Sequence, residues 1–210
     1  MPEFDRDCLT CPRLASHLSR IRDMYPGYYA RPVPPFGDSE ARLLIVGLAP
    51  GMHGANKTGR PFTGDHAGIL LYETLYKHGF ASRPQSQSVN DGLVLNDCRI
   101  TNAVKCLPPG NKPLPAEIVT CNAYLQTDLA GLVPGNVVLA LGTVAHDATL
   151  RALKLKRSDF RFAHAKHHHL PSGLHLLDSY HCSRYNTQTK RLSPAMFDTV
   201  MQRAKSLLSA

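Results

Sequence analysis

The amino-acid sequence predicts an α/β fold, a three-layer αβα sandwich around a central four-stranded parallel sheet. Two observations carry this. Four short, mostly apolar runs of strand length fall at 42–46, 98–104, 137–141 and 174–178. Near-continuous apolar runs are what strands covered on both faces require. Segments with helix-like apolar spacing alternate with them at 66–78, 115–132 and after Thr143, and a further helix follows the last run. Strands alternating with helices pack as a parallel sheet with helices on both faces.

Taken in order, the chain opens on a helix over 12–24, behind a Cys-x-x-Cys at Cys8 and Cys11. The segment 26–38 (PGYYARPVPPFGD) is too rich in Pro and Gly for a helix or central strand and reads as a connector. The 210 residues then form one domain, with 1–38 as its N-terminal helix and connector. The strand 42–46 closes at Gly47 and feeds a long loop. Helix 66–78 places Ile69, Leu70, Tyr72, Leu75 and Tyr76 at helical spacing, and helix 115–132 carries Pro115 in its first turn. Strand 137–141 closes at Gly142, and Thr143 is the expected cap of a helix carrying Ala145, Ala148, Leu150 and Leu153. Ser193 is the expected cap of the last helix, 194–208. Ligands bind such sheets at the carboxyl ends of the strands, so the loops after Val46, Val104, Leu141 and Asp178 should surround one cleft.

Composition narrows the function. No apolar run approaches the roughly 18 residues of a membrane span, and the acidic, cysteine-bearing start MPEFDRDCLTC does not read as a signal peptide. A cytoplasmic monomer is expected. The formal net charge of +8 favours a polyanionic partner such as nucleic acid. Six cysteines in such a chain point to metal ligands or core positions rather than disulfides. Cys8, Cys11, Cys106 and Cys121 can hold zinc or an iron–sulfur cluster, and spacing does not separate the two. Cys98 reads as core. His164, His167, His168, His169 and His175 have no carboxylate beside them in sequence and read as a basic loop near DNA rather than a second metal site.

The loop 47–68, GLAPGMHGANKTGRPFTGDHAG, holds six glycines. Glycine lets backbone approach a ligand closely. The loop is neither a Walker loop nor a GxGxxG turn.

GLAPG followed by RPFTGD resembles the first motif of the uracil-DNA glycosylase superfamily. SYHCSRYN (179–186) resembles its second motif, and TNAVKC (101–106) resembles the strand end that carries a base-reading asparagine. The continuation NTQTKRL and the Leu48-Ala49 pair are most similar to the iron–sulfur members of family 5 (type b). The resemblance runs from Cys8 to about Met196 and implies a monofunctional glycosylase. Such an enzyme excises uracil, and hypoxanthine or xanthine, from double-stranded DNA as the first step of base excision repair.

In that family Asn102 would read the base edge, since an amide offers both donor and acceptor. Phe62 would stack on the flipped base, and Gly47, Ala49 and Gly51 would bind it through backbone. His181 would donate to the base oxygen on which negative charge builds. Arg184 and Asn186 would contact DNA, with Arg184 as wedge or phosphate ligand. The four cysteines would hold a [4Fe–4S] cluster. The first loop lacks the acid that other members place there, and Asp65 is the nearest carboxylate. It reads equally as the group that orients water and as the cap of the helix at His66. A damage sensor with little catalysis, or a member that traps the abasic sugar through a histidine, are the competing readings. The shorter MHGANKTGR stretch argues against the last.

Overall fold

A computed structural model describes residues 3–209. The elements are α1 (Pro12–Met24), β1 (Phe36–Gly37), β2 (Leu43–Gly47), α2 (Ala55–Thr58), α3 (His66–His78), β3 (Cys98–Asn102), α4 (Pro115–Ala130), β4 (Val137–Leu141), α5 (Thr143–Ala152), β5 (His167–His169), β6 (His175–Ser179), α6 (Arg184–Gln188) and α7 (Pro194–Leu208), with a 3-10 turn at Pro109–Asn111.

The sheet runs β1-β3-β2-β4-β6-β5. Its middle four strands are parallel, and every residue of β2 and β4 is buried. The expected four-stranded parallel sheet is there, with an antiparallel strand added at each edge. β1 comes from the Pro-rich connector and β5 from the histidine run. Both are two or three residues long and cover edges that would otherwise expose unpaired backbone groups. Strands this short carry little periodic signal of their own.

One face of the sheet packs on α3 and α7 through Leu71, Leu75, Phe197 and Met201. The other packs on α4 and α5 through Leu125, Leu129, Ala145 and Leu150. A third cluster seats Leu14, Leu18 and Ile21 of α1 against Val104 and Leu107. At ~25 cal/mol per Å² of apolar surface removed from water, these three contacts dominate the favourable side of folding.

Helix ends follow local chemistry. Ser193 accepts from the Met196 amide, and Asp65 accepts from the Gly68 amide. Thr143 is not a cap: Gly142 occupies that place with φ +94°, and Thr143 is the first helical residue. Only a glycine adopts that backbone at little cost, so the turn out of β4 is set by Gly142. The histidines of 167–169 form β5 rather than a loop.

Because β3 and β4 lie on opposite sides of β2, the chain reverses its direction of travel across the sheet there. A crevice opens outside the carboxyl ends of strands at such a switch point. Among the described residues no helix is long and apolar enough to cross a membrane.

Candidate active site

A cleft of about 580 Å³ lies at this switch point, lined by Ala49, Gly51, Phe62, Asp65, Asn102, His181 and Arg184 among others. These residues come from three separate segments, and Leu141, Gly142, Thr143 and Val144 at the end of β4 add a fourth. The sheet register explains their meeting: Gly47 pairs with Asn102 across β2 and β3, and Leu141 pairs with Ser179 across β4 and β6.

The first loop is strapped rather than free. The carbonyls of Gly47 and Leu48 accept from the amides of Ala103 and Val104, and the Gly51 carbonyl accepts from Asn56. Gly47 does not line the cleft, but a Cβ there would fall 2.6 Å from Phe62 Cζ and collide with Asn102 Oδ1. Its role is to let those two side chains close on the strand end. Phe62 holds φ +53°, a conformation that non-glycine residues rarely adopt and that clusters at functional sites. Arg60, in the same motif, is buried and grips Asp91 through both terminal guanidinium nitrogens at 3.0 and 2.5 Å. It braces the loop from behind.

Two polar atoms on the cleft residues have no partner. Asn102 Oδ1 and His181 Nδ1 are buried without a hydrogen bond among the described residues. An orphaned buried polar atom costs about 1–3 kcal/mol, and such groups point to a missing ligand or water. The Phe62 ring stacks at 5.7 Å on His181. Burial pulls the His181 imidazole down to about 4, so it is neutral at physiological pH. Asp65 Oδ1 caps α3 by accepting from the Gly68 amide, and the same side chain lines the cleft beside Gly51 and Gly54. Burial raises its carboxyl above the usual range, against the pull of the Gly68 and Ala67 amides.

Arg184 is exposed at the cleft rim. Asn186 is not on the cleft. Its amide donates to the His181 carbonyl at 2.8 Å and so holds the loop. Several site residues were missed from sequence. Asn111, from the Pro-rich loop, lines the cleft, as do Thr143 and Val144 at the start of α5. Tyr185 stands 69% exposed beside Arg184, an aromatic offered to solvent by the second-motif loop. His66 links the two motifs through Thr187 at 2.9 Å.

Cys8, Cys11, Cys106 and Cys121 line a second cavity of about 210 Å³, between α1 and the β3–α4 connection. All are free thiols. Burial and the neighbouring thiols push Cys106 up strongly and Cys121 to about 11, the latter against the Lys105 amide. Four thiols around a void, two buried and two partly buried, suit a cationic centre that would hold them as thiolates. Cys98 and Cys182 are buried elsewhere in the core.

The histidine run needs correction. Strand alternation turns His168 inward, where its Nε2 lies 3.2 Å from Asp178, and His146 lies 2.7 Å from the same carboxylate. A carboxylate does stand beside this run. It lies ten residues away in sequence and is brought close by the β5–β6 pairing.

The family model described as "Uracil DNA glycosylase superfamily" matches residues 34–205. A type-5 uracil-DNA glycosylase of Thermus thermophilus is 46% identical over 95% of this chain and 93% of its own length. One from Pyrobaculum aerophilum is 38% identical over 94% and 88%, and a type-4 enzyme of Archaeoglobus fulgidus is 39% identical over 69% and 61%. The crystal structure of wild-type Pedobacter heparinus SMUG2 superposes with a TM-score of 0.51 at 16% identity, over 93% of this chain and 85% of that one, a likeness of fold alone. With the cleft, its four contributing segments and this level of identity together, the chain belongs to the uracil-DNA glycosylase superfamily, among the type-5 uracil-DNA glycosylases.

Proposed function

We propose that the protein hydrolyses the N-glycosidic bond of uracil, and of hypoxanthine and xanthine, in double-stranded DNA, the first step of base excision repair. The observation that carries this is the pair of orphaned polar atoms, Asn102 Oδ1 and His181 Nδ1, on a cleft that also presents the Phe62 ring. A glycosylase must extrude its base and read the pairing edge in a pocket. Phe62 stacks on the extruded base and Asn102 reads its edge. As the C1′–N bond stretches, its electron pair moves onto the base. A neutral His181 donating an N–H stabilises that charge without competing for it, an effect worth about 2.7–4 kcal/mol where a fixed donor meets developing charge. Asp65 orients the water that adds to C1′, and the products are the free base and an abasic site. Leu48 and Ala49, where other members place an acid, line the cleft with apolar groups instead. Arg184, with Tyr185 beside it, meets the duplex.

Cys8, Cys11, Cys106 and Cys121 hold a [4Fe–4S] cluster in this reading. Zinc would draw four thiolates onto one ion at about 2.3 Å, whereas a cavity of about 210 Å³ among them suits a polynuclear cluster. Its role would be to brace α1, since no residue lines both that cavity and the cleft.

Labelled single- and double-stranded oligonucleotides carrying uracil, hypoxanthine or xanthine test the reading. Strand breakage after alkali is expected on all three in duplex. A reversible mobility shift with no abasic product would make the protein a sensor, and a denaturant-stable adduct would mean covalent trapping.

A further inference from the structure

His146 sits in the first turn of α5, buried, with an acceptor on each side. Its Nδ1 lies 2.7 Å from Asp178 Oδ1 and its Nε2 lies 2.7 Å from the Phe160 carbonyl oxygen. A backbone carbonyl only accepts, and so does an ionised carboxylate. A neutral imidazole has one N–H and one bare lone pair, so either tautomer would set lone pair against lone pair at one contact. One more proton removes the conflict. Asp178 is the poorer place for it, because its other oxygen accepts from the Ala163 amide at 3.4 Å and lies 3.2 Å from His168 Nε2, which donates in its Nε2–H tautomer. Donors around a carboxylate favour its charged form. The proton therefore belongs on the His146 ring.

What this arrangement holds is the segment 160–166. Asp178 pairs with it through Ala165 N–H to the Asp178 carbonyl and Asp178 N–H to the Lys166 carbonyl, both at 2.9 Å. His164 Nδ1 accepts from the Tyr180 amide at 3.2 Å, and its ring stacks on Tyr180 at 4.9 Å. Tyr180 immediately precedes His181.

We propose that His146 is a positioning residue for base excision: as an imidazolium shared between Asp178 and the Phe160 carbonyl, it staples the segment 160–166 to β6 and so fixes the Tyr180–His181 backbone at the edge of the cleft. The rate consequence rests on the excision reading above; the staple does not.

The charged and titratable groups that face the ring are Asp178 from β6, His168 from β5 with rings 5.6 Å apart, and Asp147 on its own helix, which Arg157 engages at 2.9 Å. Arg157 and Arg161 border the groove above it. Burial disfavours the charged ring, but the Asp178 hydrogen bond and charge, with the Phe160 carbonyl, carry its value above the ordinary one. A raised folded value means a contribution that is complete below the unfolded value of about 6.5 and is lost as pH climbs through the folded one. The staple should loosen on the alkaline side.

The test uses ring-nitrogen NMR on the unmodified protein, amide exchange at Tyr180, and His146→Gln. Both His146 nitrogens should carry protons at pH 7.5. His146→Gln should speed Tyr180 amide exchange at least tenfold and slow single-turnover excision about tenfold. The unmodified protein should lose rate on the alkaline side, and His146→Gln should abolish that fall. A singly protonated His146 ring at pH 7.5 would overturn the proposal, as would a metal ion retained at one per chain by His146, His168 and Asp178. Unchanged Tyr180 exchange in His146→Gln, or the same alkaline limb in both proteins, would do so as well. If the unmodified protein excises nothing while both nitrogens are protonated and the exchange responds, the excision reading fails and the staple stands, with its catalytic consequence overturned. If His146→Gln does not fold, the NMR of the unmodified ring still decides.

Discussion

At the scale of single residues, the two roles of Asp65 can be pulled apart because they use different chemistry. Capping needs an oxygen that accepts from Gly68, which asparagine also offers. Orienting a water toward an oxocarbenium-like sugar needs the negative charge. Asp65→Asn should therefore lower single-turnover excision by about 10²-fold or more while leaving the urea midpoint nearly unchanged. Asp65→Ala should lose the same rate and, with the cap gone, about 1 kcal/mol of stability as well. Excision undiminished in Asp65→Asn would remove the carboxylate from the mechanism. The pH dependence has a sign too. Asp65 must be ionised, and burial raises it, so the acid limb of the rate profile lies above the ordinary carboxylate value of about 3.9. His181, held at about 4, adds no limb near neutrality.

Elements explain why the first motif ends as it does. Gly68 lies in the first turn of α3, where an alanine would normally gain up to about 1 kcal/mol of helix propensity. Here a Cβ would run into the Phe62 carbonyl oxygen, which is backbone and cannot yield. Gly68→Ala should therefore destabilise, by about 1–3 kcal/mol, and should also disturb the φ +53° turn that aims Phe62 into the cleft. Thermal and urea unfolding read the first effect and uracil excision the second. A stabilised, fully active Gly68→Ala would mean that the turn has slack the geometry denies. The same logic covers Gly54, whose Cβ would meet Asp65 Cβ at 2.6 Å. The glycines of this loop were legible as a group from sequence. Which neighbour each one clears was not, because that depends on a close approach between segments.

The cysteine cavity ties the whole molecule together at a place remote from the cleft. α1 packs against Val104 and Leu107, and the same apolar cluster reaches Ala49 and Met52 of the first loop. Removing a ligand should thus be felt at the cleft without any direct contact. Cys121→Ser is expected to lose iron and visible colour, to lower the Tm, and to weaken excision through the loosened Asn111 and Ala49 loops. Iron analysis, absorbance and thermal unfolding check this, and a colourless native protein with one zinc per chain would overturn the cluster. The sequence by itself determined the α/β class, most element boundaries to within two residues, and the motif residues that meet on the cleft, because apolar periodicity and local caps are written in neighbouring positions. Only the tertiary structure decided three things. It added the two edge strands, too short to show a period. It brought Asn111, Thr143 and Val144 to the site. And it placed Asp178 between His146 and His168, turning what reads as a basic loop into an edge strand tied to a buried hydrogen-bond network. Each of these depends on which segments the sheet order makes neighbours, and that is a property of packing across the chain rather than of any stretch along it.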